Sequence, residues 1–224
     1  MENQMIFVRV ATMNDIKYAE EICKETEASA IARGTGIARR SPESVAQKMR
    51  DGKAVVAVTG GGDWVGFAYI QSWENDQYIS NSGLIVSPGF RNSGVAKAIK
   101  ERIFKMSRRM YPQSKIFSIT SGAAIMKMNT RLGFEPVAFQ DITHDELFWE
   151  GCKGCVNYAI LDGKKKCNCL CTAMLFDPAR IEKQILADQP ILSMPLTNSN
   201  EQTYDSFITD EKSTYFPMYL SEAN

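Results

Sequence analysis

"GLIVSPGFRNSGVAKAIKERIF", residues Gly83 to Phe104, decides the fold. Aliphatic residues run into Pro88, a turn carrying Gly89, Arg91 and Gly94 follows, and a helical pattern starts at once. A strand that passes through a glycine-bearing turn into a helix is a common phosphate holder, because N–H groups at the helix start converge and the dipole favours an anion. Three such turns compete. A Walker A loop has Lys and then Ser or Thr after its second glycine, but Val95 and Ala96 stand there, so neither the phosphate-reaching amine nor the Mg²⁺-holding hydroxyl is supplied. A dinucleotide turn needs G-x-G-x-x-G opening a βαβ unit, and the second glycine is missing. The third pattern, R/Q-x-x-G-x-G/A, reads Arg91-Asn92-Ser93-Gly94-Val95-Ala96. It holds a diphosphate on main-chain amides without a metal, and Arg91 can add a charge-assisted contact. Behind it, Val95, Ile99, Ile103, Met106 and Met110 form one helical stripe.

Outward from this turn the pattern stays regular. "MIFVRVAT" is an opening strand. Asn14 can cap a helix running to about Arg33, and Ser41-Pro42-Glu43 starts a second one that stops at Asp51-Gly52. "KAVVAVT", "GGGD" and "WVGFAYIQSW" make a hairpin, and "YISNSGLIV" is the strand leading into the turn. Downstream come a strand "KIFSIT" and a helix "AAIMKMNTRLGF" closed by Gly133, its methionines read as core packing. An insertion at about 138–153 precedes a second hairpin, "CVNYAIL" with "CNCLCTAMLF". "ARIEKQILADQ" can be helical, and from Pro195 onward no period is sustained, so an extended tail on the surface or on a partner chain is expected. The order βααβββαβαββ predicts an α+β fold (mixed α/β), with a mixed sheet and helices on its faces. Residues 1–178 form one domain in this reading and 179–224 a C-terminal extension or tail.

The chain has 224 residues, 44% hydrophobic and 23% charged, with 26 basic and 26 acidic side chains. Balanced charge gives no field that would draw nucleic acid or an anionic membrane. No apolar run is long enough to span a bilayer and no signal peptide is visible, so cytoplasmic placement is expected.

At this point the stretch resembles a family. "LIVSPGFRNSGVAKAI" is similar to the acyl-CoA pyrophosphate motif of the GNAT superfamily of N-acetyltransferases, and "NTRLGFEPV" resembles that family's next motif. The likeness covers roughly residues 5–176. It implies a central, mostly antiparallel sheet splayed at the acyl-CoA site. The pantetheine would pair with Leu84, Ile85 and Val86, and the diphosphate would sit on Arg91, Asn92, Ser93, Gly94, Val95 and Ala96. It further implies acetyl-CoA or another acyl-CoA as co-substrate, no metal, a small-molecule amine acceptor and direct transfer. A homodimer is one option for the tail. Loop arginines Arg33, Arg39 and Arg40 would face the acceptor, where guanidinium groups suit a carboxylate. "RGTGIARR", "FWEGCKGCVNY" and "CLCTAMLFDP" resemble an N-acetylglutamate-synthase-like subgroup, which implies an acidic amino acid as acceptor, within arginine biosynthesis.

The chemistry-bearing positions depart from the family pattern. Asn129 falls where many members carry a Tyr that protonates the thiolate, and the strand before the turn has no carboxylate. Tyr78 is then a catalytic candidate beside Asn129, with Tyr69, Glu74 and Asp76 also near by position. A CoA-binding regulatory module without turnover, or a protein or peptide acetyltransferase, are the alternatives. His144, the only histidine, reads as a solvated loop residue. The cysteines of C152-x-x-C155 and C167-x-C169-x-C171 suggest zinc by spacing. The expected hairpin instead sets Cys167 about 20 Å from Cys155, which favours small buried side chains over ligands and leaves a set of Cys152, Cys155 and Cys171 as the alternative.

Overall fold

The structure is a computed structural model; it describes residues 5–188 and 216–219, with side chains for 5–183. Eight strands form one sheet in the order β6-β7-β5-β4-β3-β2-β1-β8. In chain order they are β1 (Met5–Val10), β2 (Ala54–Thr59), β3 (Trp64–Trp73), β4 (Tyr78–Val86), β5 (Lys115–Thr120), β6 (Glu135–Val137), β7 (Thr172–Phe176) and β8 (Phe216–Tyr219). Among the described residues only β4 and β5 run parallel, and the other pairs are antiparallel. The helices are α1 (Ala19–Ala32), α2 (Pro42–Arg50), α3 (Val95–Met110), α4 (Ala123–Arg131), α5 (Glu146–Glu150), α6 (Tyr158–Gly163) and α7 (Pro178–Asp188).

Alternation along the strands feeds both faces, so helices cover both. Val8, Val55, Ala57, Ile70 and Ile79 point to the face carrying α3, whose Val95, Ile99, Ile103 and Met106 are buried against them. Each such side chain contributes about 1.5–3 kcal/mol by leaving water. Met110, placed on the same stripe by period, is 40% exposed because α3 ends there. On the opposite face Ile22, Val45 and Met49 of α1 and α2 pack on Val56, Phe67 and Ile85. Further along that face, Phe139, Ile142, Trp149 and Leu161 cover Phe117, Ala173 and Leu175. The segment around 138–163 is therefore a lid of short helices over β5 and β7.

Two expectations need correction. The first helix is capped at Thr12, not Asn14, and begins as a 3-10 turn (Met13–Tyr18) before α1. Asp15 drives this: its carboxylate takes the Thr12 N–H at 2.7 Å and a two-pronged pair from Arg9 at 2.6 and 2.8 Å. The second hairpin does not form. "YAILDG" is helical, and β7 pairs instead with the three-residue β6 and with β5. Of the tail, residues 216–219 pair antiparallel with β1, extending the sheet by an edge strand; the remainder of the expected tail lies outside the described residues. Among the described residues, no helix is long and apolar enough to cross a membrane.

Candidate functional site

Pairing between β4 and β5 covers only Tyr78–Ser80 and Lys115–Phe117. Beyond it β4 continues to Val86 on β3 alone, and β5 continues to Thr120 on β7 alone. The two strands splay, which leaves the Asn81–Val86 edge of β4 open to an extended ligand. Unpaired strand edges are templates for added main-chain hydrogen bonds.

The splayed region contains a bulge. Phe67 pairs with Ile85 and Tyr69 with Ser82, so Gly83 and Leu84 together face Ala68. Gly83 has φ +69, and a Cβ there would stand 2.6 Å from the Tyr69 ring. Only glycine meets both demands. The bulge turns main-chain groups of β4 out of the ladder in the middle of the open edge. The sequence reading missed it, although a glycine inside a strand pattern is the recognised signal.

At the end of β4 the turn is a concavity of amides. Asn92 (φ 61) and Gly94 (φ 85) are both left-handed. Among the described residues, the N–H groups of Asn92, Ser93, Gly94, Val95, Ala96 and Lys97 meet no acceptor, and the first helical bond is Ala98 N–H to Gly94 C=O at 3.1 Å. Six successive free donors at a helix start make an anion site. The Ser93 hydroxyl holds the turn shut by donating to Phe90 C=O at 2.5 Å.

Arg91 is placed differently from its expected role. Its Nε donates to Val86 C=O at 3.1 Å, and Nη2 reaches Glu25 at 2.7 Å and Ser29 Oγ at 2.5 Å. The guanidinium fastens α1 to the end of β4 and neutralises Glu25 beside the turn. The main chain, not this side chain, forms the anion cradle.

The three loop arginines separate. Arg40 lies over the Tyr69 ring, 5.5 Å from its centroid, and its Nε donates to the Tyr69 hydroxyl at 3.0 Å. A Gly83 Cβ would be 3.8 Å from that nitrogen, so Arg40 stands at the bulge. Arg39 packs its stem on Gly154 of the lid, and Arg33 is exposed at the end of α1. Tyr69, with its hydroxyl beside the bulge, is better placed for proton handling than Tyr78. Tyr78 stands five residues up the strand, roughly 16 Å away, where it packs edge-on against Phe117. Glu74 is not free to act as a base. It accepts from Thr143 Oγ1 at 2.7 Å and from His144 N–H at 2.5 Å, latching the lid to the β3–β4 turn. Asp76 and the His144 side chain are exposed away from the bulge. Asn129 is fully buried on α4; its amide donates to Met174 Sδ at 3.5 Å, and its Oδ1 has no partner.

Cysteines enter the picture through the corrected lid. Cys152, Cys155, Cys169 and Cys171 line one cavity of about 40 Å³ with Tyr158 and Leu161. Burial and the neighbouring thiols push Cys152 and Cys171 up to about 11, which keeps them protonated and poorly nucleophilic at neutral pH. A covalent acyl-thiol route through them is disfavoured.

The fold is shared with a solved acetyltransferase of the GNAT superfamily and with other solved structures. The chain is similar in structure to a Mycobacterium tuberculosis protein (Rv2747) solved with CoA and a second ligand, at TM-score 0.54 and 19% identity over 76% of this chain and 98% of that one. It is similar to the Neisseria gonorrhoeae N-acetylglutamate synthase solved with coenzyme A and N-acetyl-glutamate, at TM-score 0.54 and 13% identity; 77% of this chain matches 35% of that one. A Sinorhizobium meliloti phosphinothricin acetyltransferase with AcCoA matches at TM-score 0.51 and 16% identity, over 76% of this chain and 86% of that one. No family model matches the sequence, and no curated protein does. At such identities the likeness establishes the fold.

Proposed function

We propose that the protein is an acyl-CoA-dependent N-acyltransferase that acylates a small primary amine bearing a carboxylate, by direct transfer in a ternary complex. The observation that carries this reading is the run of six unpartnered amides, Asn92 to Lys97, placed at the end of an open, bulged strand edge. A diphosphate on the amides and a pantetheine along Asn81–Val86 bring a thioester to the Gly83–Leu84 bulge. Main-chain N–H groups of Leu84, Ile85 and Val86 that point away from β3 would stabilise the developing oxyanion. An amine entering from the α1–α2 side attacks the carbonyl, the C–N bond forms and the C–S bond breaks, CoA leaves as thiolate, and the proton shed by the nitrogen passes to solvent or to the thiolate. Arg40 would hold the acceptor carboxylate. The Tyr69 hydroxyl, beside Arg40 at the bulge, is a candidate to handle the proton. A similar structure with N-acetyl-glutamate bound supports an amino-acid acceptor, glutamate first, and a cytoplasmic setting fits such a substrate.

A second reading, CoA binding without turnover, draws on the buried Asn129 and on the absence of a carboxylate along β4. Thiol release from acetyl-CoA and succinyl-CoA across an amino-acid and peptide panel separates the two. Release with acidic amino acids supports transfer. Tight CoA binding with no release under any acceptor supports the second reading, and release with peptides alone overturns the small-acceptor assignment.

A further inference from the structure

Six cysteines are spread along the chain, yet four of them meet. Cys152 and Cys155 flank a 3-10 turn after α5; Cys169 and Cys171 lie just before β7. The α6 helix, formed in place of the expected hairpin strand, folds the chain back and brings the second pair to the first. All four line the same cavity of about 40 Å³. Cys23 belongs to the cluster around α1 and α2, and Cys167 is exposed with its thiol turned to Lys165 C=O. The selection is thus specific.

We propose that Cys152, Cys155, Cys169 and Cys171 bind one zinc ion as four thiolates, pinning the lid to β7 and to the loop beside the acceptor cleft. Thiolates are the usual ligands of structural zinc, and C-x-x-C supplies the standard half of such a site. The second half, C-x-C, is shorter, but both of its cysteines line the same cavity as the first pair. The Asn157 N–H donates to Cys155 Sγ at 3.4 Å, and the Cys155 N–H closes a turn on Cys152 C=O at 2.9 Å. N–H donors to the sulfur are the outer-shell contacts that orient and stabilise a thiolate ligand. Among the described residues, no group of three or more His, Cys, Asp or Glu side chains stands in an arrangement that could hold a metal ion. Closure therefore requires the sulfurs to turn inward. Each cysteine has one side-chain torsion with three staggered positions, and the cavity they line is the space they would turn into.

Binding one Zn²⁺ releases four protons to solvent and leaves two net negative charges, with Lys153, Lys164, Lys165 and Lys166 in the same two segments. The physical need is clear. The lid's helices α5 and α6 have five and six residues, and its buried apolar side chains pack on β5 and β7. Cys155 also touches the acceptor side directly, since a Cβ on Gly36 would stand 2.2 Å from its sulfur.

The test is metal analysis of the full chain purified from zinc-supplemented medium without chelators, with cobalt titration of the chelator-treated chain. One zinc per chain and thiolate-to-cobalt charge-transfer absorption are expected. Cys152→Ser and Cys171→Ser should weaken zinc at least tenfold, while Cys23→Ser and Cys167→Ser should retain it. A wild-type chain that neither carries nor takes up zinc overturns the proposal, whatever the variants do. So do iron in its place, the four sulfurs recovered as disulfides, or full zinc retention in the Cys152→Ser/Cys171→Ser double variant. None of these readings depends on acyl transfer.

Discussion

Replacing Gly83 by alanine probes the bulge most directly. Two costs are separable. Gly83 sits at φ +69, where an L side chain costs about 1–2 kcal/mol. The new Cβ would also stand 2.6 and 2.7 Å from two Tyr69 ring carbons. Tyr69 is hemmed in: Arg40 donates to its hydroxyl at 3.0 Å, and Phe67 lies 6.0 Å away, centroid to centroid. Relieving the overlap therefore shifts packed groups, at about 1–3 kcal/mol. The sum, about 2–5 kcal/mol, corresponds to a Tm loss of roughly 5–15 °C for a chain of this size. Thermal unfolding of Gly83→Ala, Tyr69→Ala and the double variant forms a cycle. In the Tyr69→Ala background the overlap is gone, and Gly83→Ala should cost only about 1–2 kcal/mol. A coupling below about 0.5 kcal/mol would show that ring contact is not what excludes a side chain. Gly83→Ala without effect in either background would mean that β4 runs unbulged.

Lys100 is 2% exposed on α3, 5.1 Å from the Phe134 ring centroid, and burial lowers its pKa to about 7. The unfolded chain holds that proton up to about pH 10.4, so the burial penalty is full below pH 7 and fades as pH rises toward 10. Lys100→Met should raise stability by about 2–4 kcal/mol at pH 6, with the gain shrinking steadily toward pH 10; a gain independent of pH would contradict the burial. Gly94→Glu puts a carboxylate into the amide run and strains a φ of 85, and should weaken CoA binding more than tenfold by calorimetry. Arg91→Ala should lower Tm more than it lowers CoA affinity, because its partners are Glu25, Ser29 and Val86; the opposite order would restore a direct phosphate contact.

The sequence made the order of elements legible because strands β1 to β5 and helices α2 and α3 carry clean periods and end signals: Ser41-Pro42 before α2, Gly94 before α3, Gly133 after α4. It was opaque where elements are too short to show a period. β6 has three residues, and α6 has six, with the β-prone Tyr158 and Ile160 among them. Only pairing across the sheet decides such segments. The phosphate turn was legible in its backbone and misleading in its side chain. A motif gives Arg91 a place in the chain, but Glu25, 66 residues away in sequence, decides where the guanidinium points. Arg40 could not be told from Arg33 and Arg39, since only the fold brings it to Tyr69.

Asn129 is where stability and function can be made to disagree. Its side chain is fully buried, its Oδ1 lacks a partner, and its amide has only the weak acceptor Met174 Sδ. A buried acceptor left unpaired costs about 1–3 kcal/mol, and α4 follows β5, the strand that parts from β4. Leucine is nearly the same shape and removes both polar atoms. If Oδ1 is kept for a ligand or an ordered water in the cleft, Asn129→Leu should leave stability unchanged or raise it by up to about 2 kcal/mol, while CoA affinity or thiol release falls. A CoA thiolate, near the thiol range of about 8.5, is stable enough to leave without an acid at this position, so complete loss of turnover is not required. A fall in Tm, with CoA affinity untouched, would instead make Asn129 a packing residue whose amide is already satisfied, and the functional reading of α4 would have to be given up.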